Sequence, residues 1–174
     1  GSASASMAAI RASPVAVPPT VAPPAAPEPP TVVTIPAIGI RASVLPVHAV
    51  NGVLGVPADP HELGWWADGA QVGGATGTVV LDGHVDSAVT GEGALFDLTR
   101  LQIGDRVLVA TASGRTDRFT VVARRTYQKA HGLPPDLFRT DGPNRLVLIT
   151  CGGPFDRAAR SYLDNIVVFA TPVA

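Results

Sequence analysis

From Thr31 to the end, the chain is a series of short β-branched runs cut by glycine and proline, and this punctuation leaves few architectures open. Residues 31–35 and 38–45 are apolar runs broken by Pro36 and Pro46, and residues 77–81 run into Asp82-Gly83. Residues 105–110 and 117–123 flank Ser113-Gly114 as a hairpin, and residues 146–150 and 165–170 complete the set. Only residues 60–66, 94–101 and 134–138 read as brief helices. About eight short strands with so little helix predict an all-β barrel or sandwich.

The stretch before Thr31 is of another kind. Residues 14–30 form a Pro/Ala/Val tract with no helical or strand period and many missing amide donors, so it predicts an extended, polyproline-like spacer. The division expected is therefore an expression scar over 1–6, a linker over 7–30 and one domain over 31–174. A net charge of −1 with 16% charged residues offers no basic field for nucleic acid. No apolar run approaches the roughly 20 residues of a membrane span. The scar-like Gly1–Ser6 leaves room for a natural leader or anchor that preceded it.

The chain has one cysteine, Cys151, following the apolar run Arg145-Leu-Val-Leu-Ile-Thr and preceding Gly152-Gly153. A lone thiol makes no internal disulfide, and the pattern predicts a position where a buried strand opens into a glycine turn, partly exposed. A catalytic thiol with an ordinary pKa near 8.5 wants a base or cation beside it. Of the four histidines, His84 lies in Leu81-Asp-Gly-His-Val-Asp-Ser87, directly after an apolar strand and a glycine. His48, His61 and His131 sit in less favourable surroundings.

The ordered pieces Ile35-Pro-Ala-Ile-Gly-Ile40, Gly83-His-Val-Asp-Ser87, Gly104-Asp-Arg-Val107, Leu148-Ile-Thr-Cys-Gly-Gly153, Phe155-Asp156 and Tyr162-Leu-Asp-Asn-Ile-Val-Val168 resemble the sortases, specifically the actinobacterial class F type. The resemblance spans about residues 31–171. It implies a closed eight-stranded β-barrel with short helices, held on the extracellular face of the cell membrane by an N-terminal anchor. It also implies a cysteine transpeptidase, monomeric and without a cofactor or metal. Its cysteine attacks the threonine carbonyl of an LPXTG-like sorting signal near the C-terminus of a secreted protein. A thioacyl-enzyme forms, and an amine of a cell-wall precursor or pilin resolves it.

Carried over residue by residue, Cys151 matches the nucleophile, His84 the general acid, and Thr150 a residue that helps bind substrate or oxyanion. Asp86 is a candidate to orient His84 or contact substrate. The family arginine that opens the last strand is missing: counting back from Ala170 places Asn165 in its slot, where an amide supplies only a neutral contact. Arg157, with Arg160 as the alternative, is the expected replacement, because a Gly152-Gly153-Pro154 turn would fold Arg157 back over the thiol. Two other cysteine enzymes fit poorly. An L,D-transpeptidase lacks its Ser-His-Gly-Cys cluster here, and a papain-like order of Cys before His is reversed. The alternative from outside enzymology is a stalked β-barrel binding module with Cys151 as an inert core residue.

Overall fold

A computed structural model describes residues 26–174. The expected scar and most of the expected linker, residues 1–25, lie outside the described residues.

Eight strands close into a barrel in the order β1, β2, β5, β6, β11, β12, β10, β9. They are β1 (Pro30–Ile35), β2 (Ile40–Val47), β5 (Leu63–Trp66), β6 (Thr78–Asp82), β9 (Arg106–Thr111), β10 (Thr116–Gln128), β11 (Arg145–Asp156) and β12 (Ser161–Pro172). Two short ladders stand outside it, β3 (Ala49–Val50) with β4 (Val53–Leu54), and β7 (Asp86–Ser87) with β8 (Gly91–Glu92). Closure leaves the barrel sheet itself without a first or last strand to pair with another chain.

The period of two in the apolar residues decides what fills the barrel. Val33, Ile35, Ala42, Val44, Leu63, Trp65, Val79, Leu81, Leu146, Leu148, Ile166 and Val168 join one buried interior cluster. The alternate residues Val80, Val147, Ile149 and Val167 face outward and are buried in a second cluster, against Leu54, Trp66, Tyr127, Leu133, Leu137 and Phe138. The strands β6 and β11 run parallel and are covered on both faces, which is why their sequences are continuous apolar runs rather than alternating ones.

Two expectations need correction. Residues 60–66 do not form a helix: Leu63–Trp66 is a barrel strand, parallel to β2 and antiparallel to β6, with Leu63 and Trp65 inside and Trp66 outside. Tertiary pairing decides a run this short. The other two helical candidates shrink to single 3-10 turns, Leu98–Arg100 and Pro135–Phe138. The second correction concerns Cys151, which is not at a strand end. β11 continues through the Gly-Gly-Pro sequence to Asp156, with a register shift between Gly152 and Phe155.

The last residues of the expected linker are bound to the barrel. Glu28 and Val72 exchange two backbone hydrogen bonds of 2.9 Å, and the Glu28 carboxylate accepts from the Thr111 and Ser113 hydroxyls, each at 2.8 Å, beside Arg115 at 3.1 Å. These contacts gather at the end of the barrel where β6 begins, opposite the end where it delivers His84. A chain starting at Thr31 is therefore expected to melt below one starting at Ala26, as read by circular dichroism, because only the first loses these bonds. Equal melting temperatures would show that the contacts add nothing to stability.

Candidate active site

The parallel register of β6 on β11 pairs Asp82 with Ile149 and aims the following residues of both strands at the same end of the barrel. Two hydrogen bonds prolong the ladder beyond β6. The Gly83 N–H donates to the Ile149 carbonyl at 3.1 Å, and the buried Thr150 hydroxyl donates to the Gly83 carbonyl at 2.8 Å. His84 and Cys151 follow directly. Both line one open groove of ≈ 570 Å³, together with Asp86, Lys129, Phe155, Arg160 and Tyr162.

Cys151 is partly exposed and unpaired in any disulfide. Alternation with Val147 and Ile149 puts it on the outer face, directly across from Asn165, which in turn pairs with Tyr127. Asn165 thus stands beside the thiol in the ladder. His84 Nε2 is 2.8 Å from the Pro57 carbonyl. A carbonyl only accepts, so Nε2 carries the proton and Nδ1 is the nitrogen left for exchange with a bound group.

Three expected residues are placed differently from the way the sequence suggested. The Thr150 hydroxyl is turned to the Gly83 carbonyl, tying the nucleophile strand to the histidine turn. Asp86 bonds to the Tyr162 hydroxyl rather than to the His84 ring. Arg157 does not line the groove, whereas Arg160 does. The cause of the last is the bulge in β11. Instead of folding back, the chain pairs onward, Phe155 with Tyr162 and Asp156 with Ser161, so Arg157 rides at the tip of an extended hairpin. The Asp156 carboxylate caps that tip by accepting from the Ala158 and Ala159 amides at 3.0 and 3.1 Å, and Arg160 turns the chain back with a left-handed φ of 52°.

The bulge depends on its two glycines. A Cβ on Gly152 would fall 2.6 Å from Ile166 Cγ1, and one on Gly153, whose φ is 73°, would fall 2.1 Å from an Asp164 carboxylate oxygen. Sequence reasoning gave no role to Tyr162, Phe155 or Lys129. The Lys129 ammonium donates to the Ser161 hydroxyl at 3.2 Å, and Phe155 meets Tyr162 edge-on with ring centroids 5.0 Å apart. Phe155 and Tyr162 flank the 157–160 hairpin tip at matching distances, which is the signal that pairs them. Pro57 left no signal, since its contact is made across 27 positions.

One further acid lies under the site. Asp82 is 4% exposed, one of its carboxylate oxygens has no hydrogen-bond partner, and desolvation pushes its pKa up to about 7 against the weaker pull of the Gly64 and Asp82 amides. It fits only because its neighbour on β5 is glycine: a Cβ on Gly64 would fall 2.4 Å from Asp82 Oδ1.

Comparison with known proteins bears on the family and the fold. A family profile described as the sortase domain matches residues 33–173. The chain belongs to the sortase family, and its barrel is a sortase domain. Among solved structures it is similar to sortase A from Corynebacterium diphtheriae, at 22% identity and a TM-score of 0.61, covering 84% of this chain and 62% of that one. Sortase C1 from Streptococcus agalactiae is 20% identical with a TM-score of 0.62, over 83% and 67% of the two chains. Sortase C-1 from Actinomyces oris is 19% identical with a TM-score of 0.59, over 82% and 73%. The chain thus spans 62% of the corynebacterial chain's length. No curated protein sequence matches it.

The raised Asp82 pKa has a signed consequence for stability. The folded state holds a proton that the unfolded chain, with a carboxyl near 3.8, releases. The contribution of this group is present below about pH 4 and is lost as pH rises through about 7. Urea unfolding at pH 5 and pH 8 is expected to show a loss of stability in the unaltered protein that Asp82→Asn largely abolishes. An equal loss in both proteins would assign the effect to other groups.

Proposed function

We propose that the protein is a cysteine transpeptidase of the class F sortase type, which cleaves an LPXTG-like sorting signal and transfers the protein to an amine of a cell-wall precursor or pilin. The observation that carries this reading is the convergence of Cys151 and His84 on one groove, through a hydrogen-bonded extension of the β6 to β11 ladder. The same reading places the enzyme on the extracellular face of the membrane through an N-terminal anchor. Among the described residues no helix is long and apolar enough to cross a membrane.

On this reading the Cys151 thiol gives its proton to Nδ1 of His84, and the thiolate Sγ attacks the threonine carbonyl, whose π electrons move onto the carbonyl oxygen. The tetrahedral intermediate collapses as His84 gives a proton to the departing amine, leaving a thioester on Cys151. An incoming amine attacks that thioester, loses a proton to the histidine, and expels the thiolate. Thr150 serves by holding Gly83, and through it the turn carrying His84. Asn165 offers a neutral donor beside the thiol. Arg160 is the arginine proposed for the oxyanion, because it lines the groove and Arg157 does not.

Mass spectrometry of the enzyme with an LPXTG peptide library and a triglycine amine tests the assignment and reads both signal and acceptor. Cys151→Ala is expected to remove all cleavage and transfer, and His84→Ala nearly all, with the circular dichroism of the barrel unchanged. Transfer by the Cys151→Ala protein would end the transpeptidase reading.

Removing Arg160 is expected to cost about 10²- to 10³-fold in turnover, the scale for one oxyanion donor, while Arg157→Ala stays within about twofold. Lysine at 160 is expected to rescue poorly, since a point charge does not reproduce a planar fork. A larger loss at 157 than at 160 in steady-state kinetics would reverse the assignment.

A further inference from the structure

The turn that carries His84 leaves the barrel at Gly83 and continues into the β7 to β8 hairpin, which is joined only by the pairs Asp86 with Glu92 and Ser87 with Gly91. Val89 at its tip is 92% exposed. Two of its flanking backbone bonds are local, from Gly93 N–H to the Val85 carbonyl at 2.9 Å and from Leu95 N–H to the His84 carbonyl at 3.2 Å, and a third runs from Ala94 N–H to the Pro60 carbonyl at 2.8 Å. A two-residue ladder with an exposed tip opens easily. The Pro57 and Pro60 carbonyls hold the His84 ring and Ala94 to the loop before β5, so beyond Gly83 the register of this turn with the strands that carry the thiol depends on a further contact.

The structure supplies one such contact. The Tyr162 hydroxyl, on β12, donates to the Asp86 carboxylate across the groove that His84 and Cys151 line. Among the described residues it is the only side-chain hydrogen bond joining the β7 to β8 hairpin to the β11 to β12 hairpin. Tyr162 reaches Asp86 because the β11 bulge bends the hairpin and stacks Phe155 edge-on against the ring at 63°. We propose that Tyr162 and Asp86 are positioning residues that tie the histidine turn to the nucleophile hairpin and hold His84 in register with Cys151.

The tie is a charge-assisted bond in a half-buried place, which makes it stronger than an ordinary surface contact. In keeping with it, the Asp86 carboxylate, ahead of burial and the neighbouring Cys151, holds the Tyr162 phenol above its usual pKa. The phenol therefore stays a donor at physiological pH.

The structural claim stands without the transpeptidase reading, and its effect on turnover rests on it. Tyr162→Phe keeps the ring and its packing on Phe155, and Asp86→Asn keeps the shape without the charge. Hydrogen exchange of the amides of residues 84–88 is expected to rise about 10- to 100-fold in Tyr162→Phe, the range for losing one hydrogen bond to a charged group. Exchange unchanged from the starting protein refutes the tie whatever the substrate is. In turnover of a sorting-signal peptide, each variant is expected to lose about tenfold in kcat with KM within about twofold, and the double variant no more than the worse single one. Losses that multiply would show that the two residues act separately and would overturn the proposal. A starting protein that turns over no such peptide would refute the transpeptidase reading alone, and the exchange measurement would still decide the tie.

Discussion

The parallel seam between β6 and β11 is the constraint from which the rest of the site follows. Antiparallel neighbours bring the end of one strand to the start of the next, but parallel neighbours deliver two strand ends to the same place. Here β6 and β11 are 67 positions apart at the Gly83 and Thr150 contact, yet they present their next residues side by side. The seam is also the driest part of the barrel, with Val79, Val80, Leu81, Leu146, Val147 and Leu148 all fully buried. A shift by one residue would turn the interior row outward and carry Cys151 to the wrong face. The same burial that stabilises the fold therefore fixes the geometry of the proposed catalytic pair.

The site is then built by departures from that regular seam. The Thr150 hydroxyl adds one bond where the β6 ladder ends, and the Gly152-Gly153 bulge bends β11 just beyond the thiol. Neither feature improves the core. The bulge leaves Phe155 51% exposed and Asp82 lies buried without a full set of partners, so the barrel gives up stability where the groove is formed. This is the usual distribution in a protein whose rigid scaffold carries a strained working face.

What the sequence made legible follows the same division. Wherever pattern and turn chemistry act locally, the reading is complete: the Ser113-Gly114 hairpin, the apolar strands and the placement of His84 after a buried strand are all as expected. It fails where a distant partner decides. Leu63–Trp66 becomes a strand because β2 and β6 flank it, and Gly152-Gly153-Pro154 becomes a bulge because β12 keeps pairing past it. The second error carried the first arginine choice with it, since Arg157 overlies the thiol only if the chain turns at Gly152. Pro57, which meets the His84 ring, and Lys129 and Tyr162, which line the groove, belong to the same class, since each is brought there from a distant part of the sequence.

The uncharged row beside the thiol then sets the electrostatic character of the site. Across the ladder from Cys151 stand Asn165 and Tyr127, so no cation is fixed into the sheet next to the nucleophile. The groove's positive charges, Arg160 and Lys129, come from a hairpin tip and from the turn after β10. A guanidinium on a strand is oriented before substrate arrives, whereas one at a tip must give up side-chain freedom on binding and is screened until solvent leaves. On the proposed mechanism the oxyanion meets its charge only when a bound peptide covers the groove. That dependence places more of the burden on the fixed elements, the Thr150 bond below His84 and the β11 to β12 ladder beside the thiol, to keep the two reacting side chains aligned while the cation arrives.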